Sequence, residues 1–143
     1  MGSSAFNIVI ENTFNTSWGS TTPIKFDNVP FDTPSTSWVS IMVWDGKSNK
    51  ASLGPSTQLR RSIGTVFVDI YTPVGAGSAA ARTYSDQVKS IFRDLEVSGL
   101  TFYEGTVSRL GEKYYTNSGT GVPATSQWFQ ISVAIPFKYD EYI

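Results

Sequence analysis

The chain has 143 residues, a mass of 15.7 kDa and a formal net charge of −1 at pH 7, with a pI near 5.3. By size, residues 1–143 are expected to form one domain, and by charge they carry no general attraction to nucleic acid or anionic membranes. Cys and His are both absent, which removes the commonest zinc ligands, thiol nucleophiles, disulfides and the usual general base at neutral pH.

Charged residues make up 16% and aromatic residues 14%. Against the roughly one-quarter charge of ordinary chains, that balance predicts aromatic surface covered by another chain. The opening MGSSAFNIVIEN has neither a basic leader region nor a long apolar core, and no stretch nears the ~18 apolar residues of a membrane span. Neither export nor membrane insertion is expected, so the acceptor pattern Asn15-Thr16-Ser17 is read as fortuitous.

In chain order, Phe6, Ile10, Phe14 and Trp18 recur every fourth residue with Val9 and Thr13 beside them, which predicts a helix. The β-branched Ile8, Val9, Ile10 and Thr13 leave a strand as the alternative. Ile24-Lys25-Phe26 reads as a short strand, and DNVPFDTP (27–34), with two prolines, as an ordered surface loop. WVSIMVWD (38–45) alternates with both faces partly apolar, and RSIGTVFVDIYT (61–72) places Val66, Val68 and Ile70 opposite Thr65, Phe67, Asp69 and Tyr71.

The connection GKSNKASLGPSTQLR is expected to belong to an extended hairpin. From 78 to 95, Ala81, Tyr84, Val88, Ile91 and Leu95 form a helical stripe, with Ser78 as the expected N-cap and Ser98-Gly99 as the stop. Residues 100–109 and 127–137 read as strands, the latter with Phe129, Ile131, Val133, Ile135 and Phe137 on one face. Between them, 111–126 reads as a polar loop exposing Tyr114 and Tyr115. The order αβββαββ predicts an α+β fold, a mostly antiparallel sheet of about five strands with two helices packed on one face.

Motifs for chemistry fall short. TPVGAGS (72–78) opens into a helix, and Gly75 and Gly77 supply two glycines of a dinucleotide fingerprint, but the third glycine, a well-placed acid and a parallel crossover are missing. A turn that uses positive φ and folds the helix tightly back onto the sheet accounts for it better. Gly46-Lys47-Ser48 ends like a phosphate-binding loop, but Ile41 occupies the first glycine position. No Gly-x-Ser-x-Gly or Ser-x-x-Lys occurs. The close carboxylates, Asp27 with Asp32 and Asp140 with Glu141, read as solvated surface charge. No catalytic residue, cofactor or metal is expected.

Two features point to assembly instead. Asp69 lies mid-strand between Phe67 and Tyr71, so it needs a subunit contact or an inter-strand partner such as an Arg. Lys47, Lys50, Arg60 and Arg61 gather four of the eleven positive residues in the 47–61 connection with no acid inside it. That stretch reads as a solvated tip, as an arm that meets an acidic neighbour, or, less well for want of aromatics, as a contact to DNA phosphate.

The stretches NVPFDTPSTSWVSI, ASLGPSTQLRRSIGTVFVDIYTPVGAGSAAARTYSDQVKSIF and WFQISVAIPFKYDEY resemble a family of small tailed-phage and prophage proteins that includes tail terminators of siphovirus type. The shared pattern is a VPF loop before a Trp-Val strand, a strand ending in a TP-x-G-x-G turn, a helix, and a last strand closing with PF-x-YDE; it covers roughly residues 5–142. The resemblance implies a structural protein, not an enzyme. It would form a hexameric ring of its own copies that caps the tail tube, stops polymerisation of the tube protein and offers a surface to the head–tail connector protein. DNA would pass through without specific binding, and the protein, assembled in the host bacterial cytoplasm, would sit at the head-proximal end of the tail in the virion. Lys47, Lys50, Arg60, Arg61, Asp69, Tyr114 and Tyr115 are the candidate subunit or tube contacts. Another head-to-tail joining protein, or a small nucleotide-binding domain using the Gly75–Gly77 turn, are the alternatives.

Overall fold

The computed structural model describes residues 3–50, 59–75, 77–115 and 126–142. In chain order the elements are α1 (Ser3–Trp18), β1 (Ile24–Phe26), β2 (Trp38–Lys50), β3 (Leu59–Pro73), α2 (Ala79–Phe92), β4 (Glu96–Val97), β5 (Leu100–Phe102), β6 (Thr106–Tyr115) and β7 (Ser126–Tyr142). The seven strands form one sheet in the order β1-β2-β3-β7-β5-β4, with β6 also on β7. All pairings are antiparallel except β1 with β2. The α+β class, the mostly antiparallel sheet and the two helices match the sequence expectation.

Strand alternation sorts the side chains. Val39 and Ile41 of β2, Val66, Val68 and Ile70 of β3, and Ile131, Val133, Ile135 and Phe137 of β7 form one buried face. Against it α1 lays its every-fourth stripe of Phe6, Ile10, Phe14 and Trp18, all nearly inaccessible to water, and α2 lays Ala81, Val88 and Phe92. Ring contacts tie the layers: Phe14 lies between Trp18 (5.3 Å) and Phe92 (6.2 Å), and Phe6 meets Phe137 edge-on at 5.3 Å.

Several boundaries move. α2 ends at Phe92, because Arg93 takes an extended backbone and Asp94 a positive φ of 54°; Leu95, expected on the helix stripe, follows it. Ser98 and Gly99, expected to stop the helix, are the two residues joining β4 to β5, both at positive φ as a type I′ hairpin turn requires. The strand expected over 100–109 is split into β5 and β6, and this split together with the short unexpected β4 turns about five expected strands into seven. The break has a cause in β7. Pro136 accepts a hydrogen bond from the Tyr103 amide at 2.9 Å but has no N–H to return, so the ladder lapses between Phe102 and Thr106.

The described residues of the 46–60 and 111–126 connections belong to strands. β2 runs on to Lys50 and β3 starts at Leu59, with Lys50 opposite Arg60 and Asn49 opposite Arg61. β7 extends alongside them to Tyr142. Tyr114 and Tyr115, expected in a loop, belong to β6 and pair with Gln127 and Ser126.

Candidate assembly interface

Both helices occupy one face of the sheet, so the opposite face is left to its own side chains. One end of it closes on itself. Trp38 stacks on Tyr71 at 4.1 Å, meets Trp128 edge-on at 5.9 Å and touches Phe31 at 5.2 Å, while Gln130 Nε2 donates to the Tyr71 hydroxyl at 3.1 Å. The Trp38 Nε1 donor is buried there without a protein acceptor. At the other end the apolar groups stay in water: Trp44 is 60% exposed and Ile63 and Tyr103 are each 47% exposed. With Phe67 and Pro136 they line a shallow apolar depression of about 460 Å³. Exposed apolar clusters of this kind mark interaction surfaces.

Between the two ends runs a polar row. The register places Lys25, Ser40, Asp69, Ser132 and Ser108 side by side on β1, β2, β3, β7 and β6. Asp69 is half-buried; loss of water pushes its carboxyl above the usual carboxylate range, and a hydrogen bond from Ser132 pulls in the opposite direction. The inter-strand partner is therefore a serine and not the arginine suggested by sequence. Lys25 lies two strands away in the same row and forms no ion pair with Asp69.

The basic residues divide. Arg61 is engaged within the chain: its Nε donates to Asp140 Oδ1 at 2.8 Å and an Nη donates to Oδ2 at 3.1 Å, a bidentate pair that Lys138 supports from 3.6 Å. That bond and the guanidinium charge hold the Asp140 carboxyl below its usual range and raise Arg61. Lys47, at the β2 bulge, and Arg60, opposite Glu141, are exposed and form no ion pair among the described residues. The side chains of Lys50, Tyr114 and Tyr115 lie outside the described residues. The sequence reading missed Ile63, Tyr103 and Pro136; the exposed Trp44 in the apolar stretch WVSIMVWD was the available signal.

At the glycine turn, Gly75 and Gly77 have φ of 96° and 80°, and a Cβ on either would meet nothing within 4 Å. Backbone conformation, and not close approach to the sheet, therefore requires them. Ser78 sits at the helix N-cap, yet its side chain makes no capping bond. α2 leads from β3 into β4, which runs antiparallel to β3, so the parallel crossover of a dinucleotide-binding unit does not follow the turn. Gly46-Lys47-Ser48 lies within β2, not at a helix start. Among the described residues no group of three acidic or other ligand side chains is placed to hold a metal ion, and no helix is long and apolar enough to cross a membrane.

The family model described as phage tail terminator protein matches residues 5–137. The chain belongs to the phage tail terminator family. Membership gives it a structural role in the phage tail and a place in the virion, in a family that is structural and not enzymatic. A solved chain is similar over 94% of both chains, at 17% identity and a TM-score of 0.51; that likeness concerns the fold of this terminator-family protein alone. Among curated proteins nothing matches.

Proposed function

We propose that the protein forms a homohexameric ring that caps the phage tail tube, ends tube polymerisation and provides the surface to which the head connector attaches. The observation that carries this reading is the one-sided sheet. Helices bury one face, and the other presents Trp44, Ile63 and Tyr103 to water on a chain of the terminator family. Its partners are then copies of itself, the tail tube protein and the head–tail connector protein, at the head-proximal end of a tail assembled in the host cytoplasm. A net charge of −1 suits a ring through which DNA passes without being held.

Electron micrographs of tails assembled without this protein test the proposal. Tubes longer than wild type, with no heads attached, are the expected result. Tails of normal length that fail only to join heads would make it a connector component, and normal virions would overturn the structural assignment at the tube end.

A further inference from the structure

Asp69 occupies an unusual position for a carboxylate. It is half-buried on an uncovered sheet face between Phe67 and Tyr71, and one bond from Ser132 leaves most of its acceptor capacity unused. No described cation pairs with it. The complement of such a site is a positively charged side chain delivered across an apolar contact, and the chain carries one elsewhere. The outer ends of β2 and β3 hold Lys47 and Arg60, exposed and without ion pairs among the described residues; of the other described cations, Arg61, Lys89, Arg93 and Lys138 are engaged by Asp140 or Glu104, Arg109 lies over the Phe129 ring, Lys25 is half-buried in the same row as Asp69, and Arg82 stands on α2, on the helix side of the sheet.

Arg60 and Asp69 lie on the same strand, nine positions or about 30 Å apart at the usual strand rise. They cannot meet within one subunit. Complementary patches at different places on identical molecules make a heterologous contact, which propagates head to tail until it closes into a ring or runs on as a filament. We infer that the uncovered sheet face around Asp69 receives the basic outer end of the β2–β3 hairpin, with Lys47 and Arg60, from a second copy of this chain. The inference rests on the ring reading above and specifies which surfaces build the ring.

The test is a charge exchange followed by light scattering and negative-stain microscopy, on the full chain alone and with purified tail tubes. One variant carries Asp69→Lys; the other carries Lys47→Glu with Arg60→Glu. Each alone opposes like charges at every contact and is expected to weaken ring formation at least tenfold. Mixed one to one, each variant's altered patch meets its complement on the other, and rings of alternating subunits are expected to return. Asp69→Asn, the milder change, is expected to keep wild-type near-ultraviolet circular dichroism and to weaken assembly about tenfold, so the acid half is tested even if Asp69→Lys fails to fold.

Wild-type protein that stays monomeric with and without tubes overturns the ring reading and this inference with it. Wild-type rings that are indifferent to both sets of substitutions, or defective variants that do not rescue each other on mixing, overturn this inference alone. So does a variant that forms normal rings but loses the tube, since the face would then belong to the tube protein.

Discussion

The two faces of the sheet are made from the same three long strands, β2, β3 and β7, yet they solve different problems. The helix side is filled by interlocking rings and branched aliphatics, and Phe14, Ile70 and Ile131 there have no accessible surface. The far side is aromatic at both ends and polar across the middle, and only the Trp38 end is closed by its own side chains. The contrast separates what makes the subunit fold from what makes it adhere. A face that served folding alone would keep neither an exposed Trp44 nor a half-buried carboxylate.

Substitutions on the two faces should therefore part company. Phe14→Ala, in the stack between Trp18 and Phe92, is expected to cost about 3–5 kcal/mol in urea unfolding, enough to threaten the fold. Trp44→Ala should cost less than about 0.5 kcal/mol and act on assembly instead; equal losses of stability at both sites would erase the distinction between the faces. Gly64→Ala tests the seam between them. A Cβ there would come within 2.6 Å of Phe137 Cζ and of the Trp44 carbonyl oxygen, and because the latter is backbone the expected loss is about 1–3 kcal/mol, read as a lower urea midpoint.

The two acids of the far side should respond to pH with opposite signs. Asp140 is held low by Arg61 in the folded state, so its stabilising effect is complete above its unfolded value near ~4 and is lost as pH falls through the folded value. Asp140→Asn should then be less stable than wild type at pH 7, with the difference closing under acid. Asp69 is raised by burial, so its ionised form costs stability above the folded value and nothing at low pH. Asp69→Asn should leave the subunit slightly more stable at pH 7, by less than about 1 kcal/mol because water still reaches the group, while its rings weaken. Thermal melts at pH 3 and pH 7 check both, and a destabilised Asp69→Asn subunit would mean that Asp69 serves the fold.

Where a segment is buried on one side, its sequence already carried the answer. The every-fourth aromatics of α1 and the alternation from Phe129 to Phe137 could fit only one face each. The outer ends of β2 and β3 fit the extended hairpin expected for 46–60, but Lys47, Ser48, Asn49, Lys50 and Arg60 show no apolar alternation that would mark them as strand; they are strand because β7 continues beside β3 as far as Tyr142. The split between β5 and β6 depends on Pro136, a residue far along the chain, which no local pattern near Tyr103 discloses. Asp69 was singled out by its apolar neighbours, but its partner Ser132 depends on strand register. The depression beside Trp44 gathers residues from β2, β3, β7 and the turn after β5, so it exists only once the sheet is assembled.

The placement of β7 bears on when this subunit can exist at all. Every strand that β7 binds, β3, β5 and β6, precedes it in the chain, and the Arg61–Asp140 bridge closes over 79 positions. During synthesis the inner edge of β3 thus waits unpaired while most of the chain is made, and local pieces such as α1 and the β2–β3 hairpin are all that can form early. Completion of the sheet then comes as a single late event. A half-made chain lacks the complete polar row and the apolar depression alike, so it can offer the basic end of its β2–β3 hairpin but cannot yet receive a neighbour's.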